Sequence, residues 1–331
     1  MSGSPLLALP TSEANAERIE RFLLDAVHIE GGAYLTEIAS HLIKAGGKRQ
    51  RPHFTIGAAA AGLADGVLVP DDVVRGGVAV ELVQVGSLYH DDVIDEAQMR
   101  RQVPSVNARW GNHRAILAGD FLLARASEIA ASLGTEVAGL LAHTIGELCK
   151  GQVAELQTLY DINRTEAQYY PSIAGKTASL FAAATRIGGI VAGYDRDVID
   201  RLTEFGRLYG MGFQVIDDIL DVIATDAQLG KPAGKDMIEG VYSLPVIRTL
   251  ASPAGGDLRE LLKDGLAEAD RHAAIECVRM GPGVDEALRE AEVFVEQARA
   301  EILAVSSNDA AVAMADTAQH LLDSVAAAKA A

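Results

Sequence analysis

Helical periodicity leaves little room for any other architecture in this chain. Apolar residues recur at three- and four-residue steps, as Ile19, Phe22, Leu23 and Val27 do, and no run of alternating β-branched residues is long enough to build a sheet. Two helices are expected over 12–45, ending at Gly46-Gly47, and Pro52 then opens the next, a stop signal followed by a start. Asp71-Asp72 after Pro70 begin a long helix to about Gln98, and others follow at about 111–132, 135–160, 166–192 and 195–224. Residues 225–242, with Gly230, Pro232, Gly234 and Gly240, read as a mobile loop; Pro245 restarts helix, and Gly281-Pro282-Gly283 separates the last helices. No composition break marks a second domain. The 331 residues are therefore read as one all-α domain, a single large helical bundle, with 1–15 as a flexible lead-in.

Composition narrows the functional classes. Apolar residues at 49% and charged residues at 23% are an ordinary globular mixture, which excludes wholesale disorder. The 29 basic against 46 acidic residues give a net charge of −17, which argues against nucleic acid as a partner. Cys149 and Cys277 match no metal or disulfide spacing and read as reduced, intracellular core residues. No basic segment precedes the apolar run Leu6 to Leu9, and the long apolar stretch from Thr177 to Tyr194 is interrupted by Arg186. A cytoplasmic protein without a stable membrane anchor is expected.

Against that background two aspartate clusters stand out: Asp91, Asp92 and Asp95 in one helix, and Asp217, Asp218 and Asp221 in another. Residues i and i+4 share a helix face, so Asp91 projects with Asp95 and Asp217 with Asp221. Like charges at that spacing destabilise a helix, and the neighbours Val93, Ile94, Ile219 and Leu220 are apolar. A hard divalent cation with oxygen ligands relieves the repulsion, and Mg²⁺ characteristically leaves positions for substrate phosphates. Solvated helix faces are the bland alternative, and the pairing of two such clusters disfavours it. Basic residues lie where phosphate oxygens would need them: Lys48, Arg49 and Arg51 at a helix start, Arg100-Arg101 just after the first cluster, Lys176 in an apolar segment, and Lys231 and Lys235 beyond the second.

These features occur in order within GGKRQRP (46–52), SLYHDDVIDEAQMRR (87–101), WGNHRAILAGDFLLARA (110–126), GKTASLF (175–181), FQVIDDILD (213–221), LGKPAGKD (229–236) and SLPVI (243–247). In this series the chain resembles the trans-isoprenyl diphosphate synthases, the polyprenyl synthetase family, over about residues 40–250. The resemblance implies a helical bundle of the isoprenoid synthase type around a central cavity, paired as a homodimer. It also implies head-to-tail condensation of an allylic diphosphate with isopentenyl diphosphate, releasing pyrophosphate. Asp91, Asp95 and Asp217 would be the main Mg²⁺ ligands, supported by Asp92, Asp218 and Asp221. Arg100, Lys176, Thr177, Gln214 and Lys231 would hold the allylic diphosphate, with Gln214 near the reacting centre. Gly47, Lys48, Arg51, Gln84 and Arg101 would hold isopentenyl diphosphate. His90, beside Asp91, is read as a packing or hydrogen-bonding residue. The chain departs from the family pattern at Gln84, where histidine is common, at Gln102, where glycine is common, and at Val241, where a lysine is often found.

Product length in this family follows the depth of the tunnel below the first aspartate cluster. Gly86 and Ser87, five and four residues before Asp91, are small where short-chain enzymes place an aromatic, and Val83 one turn further is modest. A long-chain product of six or more isoprene units is expected, and phenylalanine at Gly86 should shorten it. A geranylgeranyl-length synthase is the alternative if Phe121 or Leu122 closes the floor. A class I terpene cyclase is disfavoured by the second aspartate cluster.

Overall fold

The computed structural model describes residues 4–229 and 232–330, so Lys231 lies outside the described residues. The first segment divides into α1 (Ser12–Val27), α2 (Ala33–Ala39) and α3 (His41–Lys44), and α4 (Gln50–Ala60) carries Pro52 in its first turn, where no intrahelical N–H is lost. The long α5 (Asp71–Ile94) rises about 36 Å. A short antiparallel hairpin, β1 (Met99–Arg100) and β2 (Val103–Pro104), leads into α6 (Val106–Trp110), α7 (Asn112–Ser132) and α8 (Thr135–Leu156). Next come α9 (Glu166–Ile173), a π turn over Ala174–Ala178, α10 (Ser179–Val191) and α11 (Arg196–Ile223). Two short helices, α12 (Asp226–Leu229) and α13 (Lys235–Ile238), precede α14 (Leu244–Ala251), α15 (Gly256–Leu262), α16 (Arg271–Met280), α17 (Gly283–Val305) and α18 (Asp309–Ala330).

Packing follows the apolar stripes. α5 lies along α7, α10 against α4 and α11, and α11 along α17. At the centre Phe54 of α4 sits 5.3 Å from Phe181 of α10, and 5.8 and 4.4 Å from Phe205 and Tyr209 of α11, measured between ring centroids. All four rings are buried, each contributing about 1.5–3 kcal/mol by removal from water. A second apolar cluster, with Met211, Ile219, Tyr242, Leu244 and Val278, packs on the other side of α11. That helix is thus gripped from both sides, and the acids at its end are carried by a rigid element.

Four expectations are corrected. From Ser4 onward the supposed lead-in is docked: Leu6 is buried and its N–H donates to Thr317 Oγ1 of α18 at 3.2 Å. Cys149 is exposed and outside the core, while Cys277 is half-buried and packs against the second apolar cluster. α5 stops at Ile94, four residues early, because Glu96 takes a left-handed φ of 51° and the chain turns into the hairpin. The glycine-rich segment 225–242 carries α12 and α13 where a loop is expected. No helix among the described residues is long and apolar enough to cross a membrane.

Candidate active site

Both aspartate clusters fall at C-terminal ends of long helices, α5 and α11. Unsatisfied carbonyls give a helix C-terminus partial negative charge, so carboxylates there are destabilised twice, by one another and by the helix. Asp95 lies just past α5, yet its N–H still donates to the Asp91 carbonyl at 2.8 Å, which keeps the i, i+4 geometry. Burial separates the six acids into two sets. Asp92, Asp218 and Asp221 are buried, Asp91 is half-buried, and Asp95 and Asp217 are exposed.

The buried members are held by named partners. Asp92 Oδ1 accepts from Arg100 Nε at 2.8 Å, with Arg100 Nη2 at 2.7 Å, while Asp92 Oδ2 is buried with no hydrogen-bond partner. Asn107 Nδ2 donates to the Asp92 carbonyl at 2.9 Å and fixes the end of α5. Asp218 accepts from the Tyr169 hydroxyl at 2.5 Å and from Gln214 Nε2 at 2.9 Å, and Gln214 Oε1 in turn accepts from the Thr177 hydroxyl at 2.7 Å. The Gln214 amide is thereby set in one orientation. Asp221 accepts at its carbonyl from the Gly234 N–H at 2.7 Å and at Oδ2 from the Asp236 N–H at 3.4 Å, so α13 closes onto the end of α11.

Lys176 stands at the π turn between the clusters. A Cβ on Gly151 would come within 2.4 Å of the Lys176 backbone nitrogen, so only glycine lets α8 approach this closely. One turn along α8, Glu155 accepts from Lys176 Nζ at 2.6 Å. Burial would lower the Lys176 pKa, but Glu155, Asp91 and Asp95 outweigh it and hold the ammonium above its ordinary value. Asp91 and Asp95 are shifted upward, chiefly by desolvation among crowded neighbours, although Asp95 still reaches solvent, and Lys176 opposes the shift in both. Asp92 is also raised by burial, against Arg100. Asp218 is pushed well above the carboxylate range by burial, and Asp236 and Asp217 add to the effect. Lys235 of α13 acts on both Asp92 and Asp95, which brings the segment after the second cluster over the first.

A second group of cations gathers beside α4. Arg49, at a left-handed φ of 46°, donates to Glu20 at 2.6 and 3.1 Å, to Glu81 at 3.3 Å and to the Ile43 carbonyl at 2.7 Å. Arg51 lies 4.7 Å from the Phe181 ring centroid, its Nε without a partner, and burial lowers its pKa to about 10. Arg101 donates to the carbonyls of Leu42, at 2.8 Å, and Gly46; a Cβ on Gly47 would lie 2.9 Å from its guanidinium carbon. The tight turn at Arg101 and Gln102, with φ of 53° and 64°, is the type I′ geometry that favours glycine, and Gln102 occupies it here. Lys48 is exposed and Gln84 half-buried. His90 faces the Ile116 carbonyl at 3.2 Å and Asp120 at 3.4 Å.

Between the exposed ends of α5, Gln84, Ser87, Leu88 and Asp91, at i, i+3, i+4 and i+7, form a half-open stripe, with His90 beside it. Ser87 is on it. Gly86 and Val83 are buried, and a Cβ on Gly86 would meet the Gly119 carbonyl of α7 at 3.1 Å. Gly86 thus packs closely against α7. Sequence reading also passed over Glu155, Tyr169, Glu81 and Gly151. No local motif marks them, since their partners lie 21 to 49 residues away in the chain.

The donor set suits a hard cation. Carboxylates stand at the ends of two helices, α13 reaches both ends, and a buried Asp92 oxygen lacks a partner. Among the described residues no group of three acids, histidines or cysteines is gathered tightly enough to hold an ion by itself. Mg²⁺ commonly takes one or two carboxylates and completes its shell with water and phosphate oxygens.

Comparison with known proteins defines the class. A polyprenyl synthetase family model matches residues 32–278. The nonaprenyl diphosphate synthase of Mycobacterium tuberculosis is 37% identical over 292 residues, 87% of this chain and 86% of that one. Component 2 of the heptaprenyl diphosphate synthase of Geobacillus stearothermophilus is 42% identical over 70% of this chain and 72% of its own. A polyprenyl synthase from Caulobacter crescentus, crystallised with calcium and isoprenyl diphosphate, superposes with a TM-score of 0.88 at 32% identity, covering 97% of this chain and 98% of that one. The chain belongs to the polyprenyl synthetase family. It is a prenyltransferase with the all-α isoprenoid synthase fold.

Proposed function

We propose that this chain is a Mg²⁺-dependent, long-chain trans-polyprenyl diphosphate synthase that condenses an allylic diphosphate with isopentenyl diphosphate. The observation that carries this reading is the pair of carboxylate clusters at two helix C-termini, with Lys176 coupled to the first and its neighbour Thr177 linked through Gln214 to the second. In the reaction the allylic C–O bond breaks, the double bond of isopentenyl diphosphate forms the new C–C bond, and a proton leaves to the departing pyrophosphate. Mg²⁺ held by Asp91, Asp95 and Asp217, the three least buried acids, would neutralise the leaving group. Asp92, Asp218 and Asp221 support from behind. Lys176, Arg100 and Lys231 hold the allylic diphosphate, with Arg100 oriented by Asp92. Lys48, Arg51 and Arg101, with Gly47 and Gln84, receive isopentenyl diphosphate. The small Ser87 on the open stripe and the names of the relatives favour a long product.

Incubation with farnesyl and isopentenyl diphosphates and Mg²⁺ tests the reading. Products of six or more isoprene units are expected, with chelation by EDTA abolishing them. A single cyclised hydrocarbon would indicate a cyclase, and absence of elongation would overturn the assignment.

The same reading includes a homodimer. Gly139, Ala142, Gly146, Cys149 and Val153 follow a three-four spacing along one exposed face of α8, and a Cβ on Gly139 or Gly146 would meet nothing within 4 Å. Leu117 of α7 is 65% exposed. Light scattering should give twice the chain mass of 34.9 kDa, and Gly146→Arg should shift it toward monomer. A monomeric parent would refute the pairing.

A further inference from the structure

We infer that Glu81 is a positioning residue: its carboxylate, set between Arg49 and Arg101, holds Arg101 in the subsite read above for isopentenyl diphosphate. The inference rests on that reading of the subsite. Glu81 projects from the middle of α5, one turn before Gln84, and is 2% exposed. A carboxylate so buried is retained only with cationic partners. Arg49 Nη1 lies 3.3 Å and Arg101 Nη2 4.0 Å from the same oxygen, Oε1. Arg51 also feels the Glu81 charge, its largest favourable interaction.

The three arginines are not equivalent. Arg49 is used up: two bonds to Glu20, one to Glu81, and others to the Ile43 and Gly46 carbonyls staple the loop before α4 to α1. Arg51 retains an Nε with no partner, and Arg101 is held through Nη1 by two carbonyls. Arg51 and Arg101 repel one another. Counting Arg49 and Glu20 as a neutral pair, two guanidinium charges remain against one carboxylate. Glu81 therefore holds Arg101 toward α5, and still leaves a positive balance for an anion. Its burial closes the carboxylate off from a ligand, so it acts through Arg101.

Steady-state kinetics of Glu81→Gln test this. The KM for isopentenyl diphosphate should rise at least tenfold, while the KM for farnesyl diphosphate stays within threefold. Asp72→Asn, at an exposed acid in the first turn of the same helix, should change neither KM by more than threefold. In an Arg101→Met background the effect of Glu81→Gln on KM should shrink. Should Glu81→Gln fail to fold, Glu81→Asp keeps the charge at shorter reach and should show the same selective rise, to a smaller degree. Equal rises in both KM values, no rise in a folded variant, or failure of both variants to fold would assign Glu81 to stability alone and overturn the inference. Parent protein in the same assay separates the two readings: if it makes no elongated product the proposed function fails, and if it does, only the role of Glu81 is in question.

Discussion

Asp91→Asn is expected to lower kcat/KM for elongation by a thousandfold or more, without lowering stability. Loss of a ligand from a metal site that neutralises a leaving pyrophosphate removes transition-state stabilisation, and a thousandfold corresponds to about 4 kcal/mol. Stability should move the other way. Burial, reinforced by Asp95, holds the Asp91 pKa above the ordinary carboxylate range. A carboxyl raised in the folded state favours folding below its unfolded pKa, and that contribution is lost as pH rises through the folded value. At neutral pH without metal the ionised Asp91 is therefore a net burden, and the neutral isostere removes it. Thermal unfolding in EDTA should place Asp91→Asn at or above the parent, whereas added Mg²⁺ and inorganic pyrophosphate should stabilise the parent more. Activity within tenfold of the parent at saturating Mg²⁺ would show that Asp91 is not an essential ligand.

What the sequence discloses here is what local spacing controls. α7 and α11 lie within a residue or so of their expected limits, and both aspartate clusters sit on helices whose apolar stripes are visible in the chain. What it conceals depends on long-range contact. Glu81 and Glu155 are ordinary acids until folding brings Arg49 and Lys176 against them. The hairpin at 99–104 is hidden because its turn uses Arg101 and Gln102 at positive φ, without the glycine that would announce it. The π turn is hidden in a helical pattern, although Gly151 and Gly175, each in backbone contact with the other element, mark the close approach. Cys149 is apolar enough to suggest a core position, yet it lies on the exposed face of α8. The net charge of −17 bears on nucleic acid and not on a diphosphate, since it sums over a surface while a small ligand would meet a local field.

Product length gives the second large effect, and packing sets its two neighbouring candidate residues apart. Helix position alone makes Gly86 and Ser87 equally good candidates for the wall below Asp91. In the fold they diverge. Gly86 faces α7, where a Cβ would already meet the Gly119 carbonyl at 3.1 Å and Leu123 and Leu122 at 3.4 and 3.5 Å. A phenyl group there overpacks the α5–α7 contact, at a cost of about 1–3 kcal/mol or more. Gly86→Phe should therefore lower the melting temperature and the soluble yield before it changes product length. Ser87 is half-buried on the open stripe, one turn below Asp91, and its hydroxyl donates only to the Gln84 carbonyl at 3.0 Å. Phenylalanine at that position can project along the stripe, with a stability change of about 1 kcal/mol or less. Ser87→Phe is expected to consume farnesyl diphosphate at a rate comparable to the parent and to stop at shorter products, resolved by chromatography of the dephosphorylated prenols. An unchanged product distribution from folded Ser87→Phe would place the growing chain elsewhere. Shortening by Gly86→Phe alone, with its stability intact, would put the lumen on the α7 side of α5.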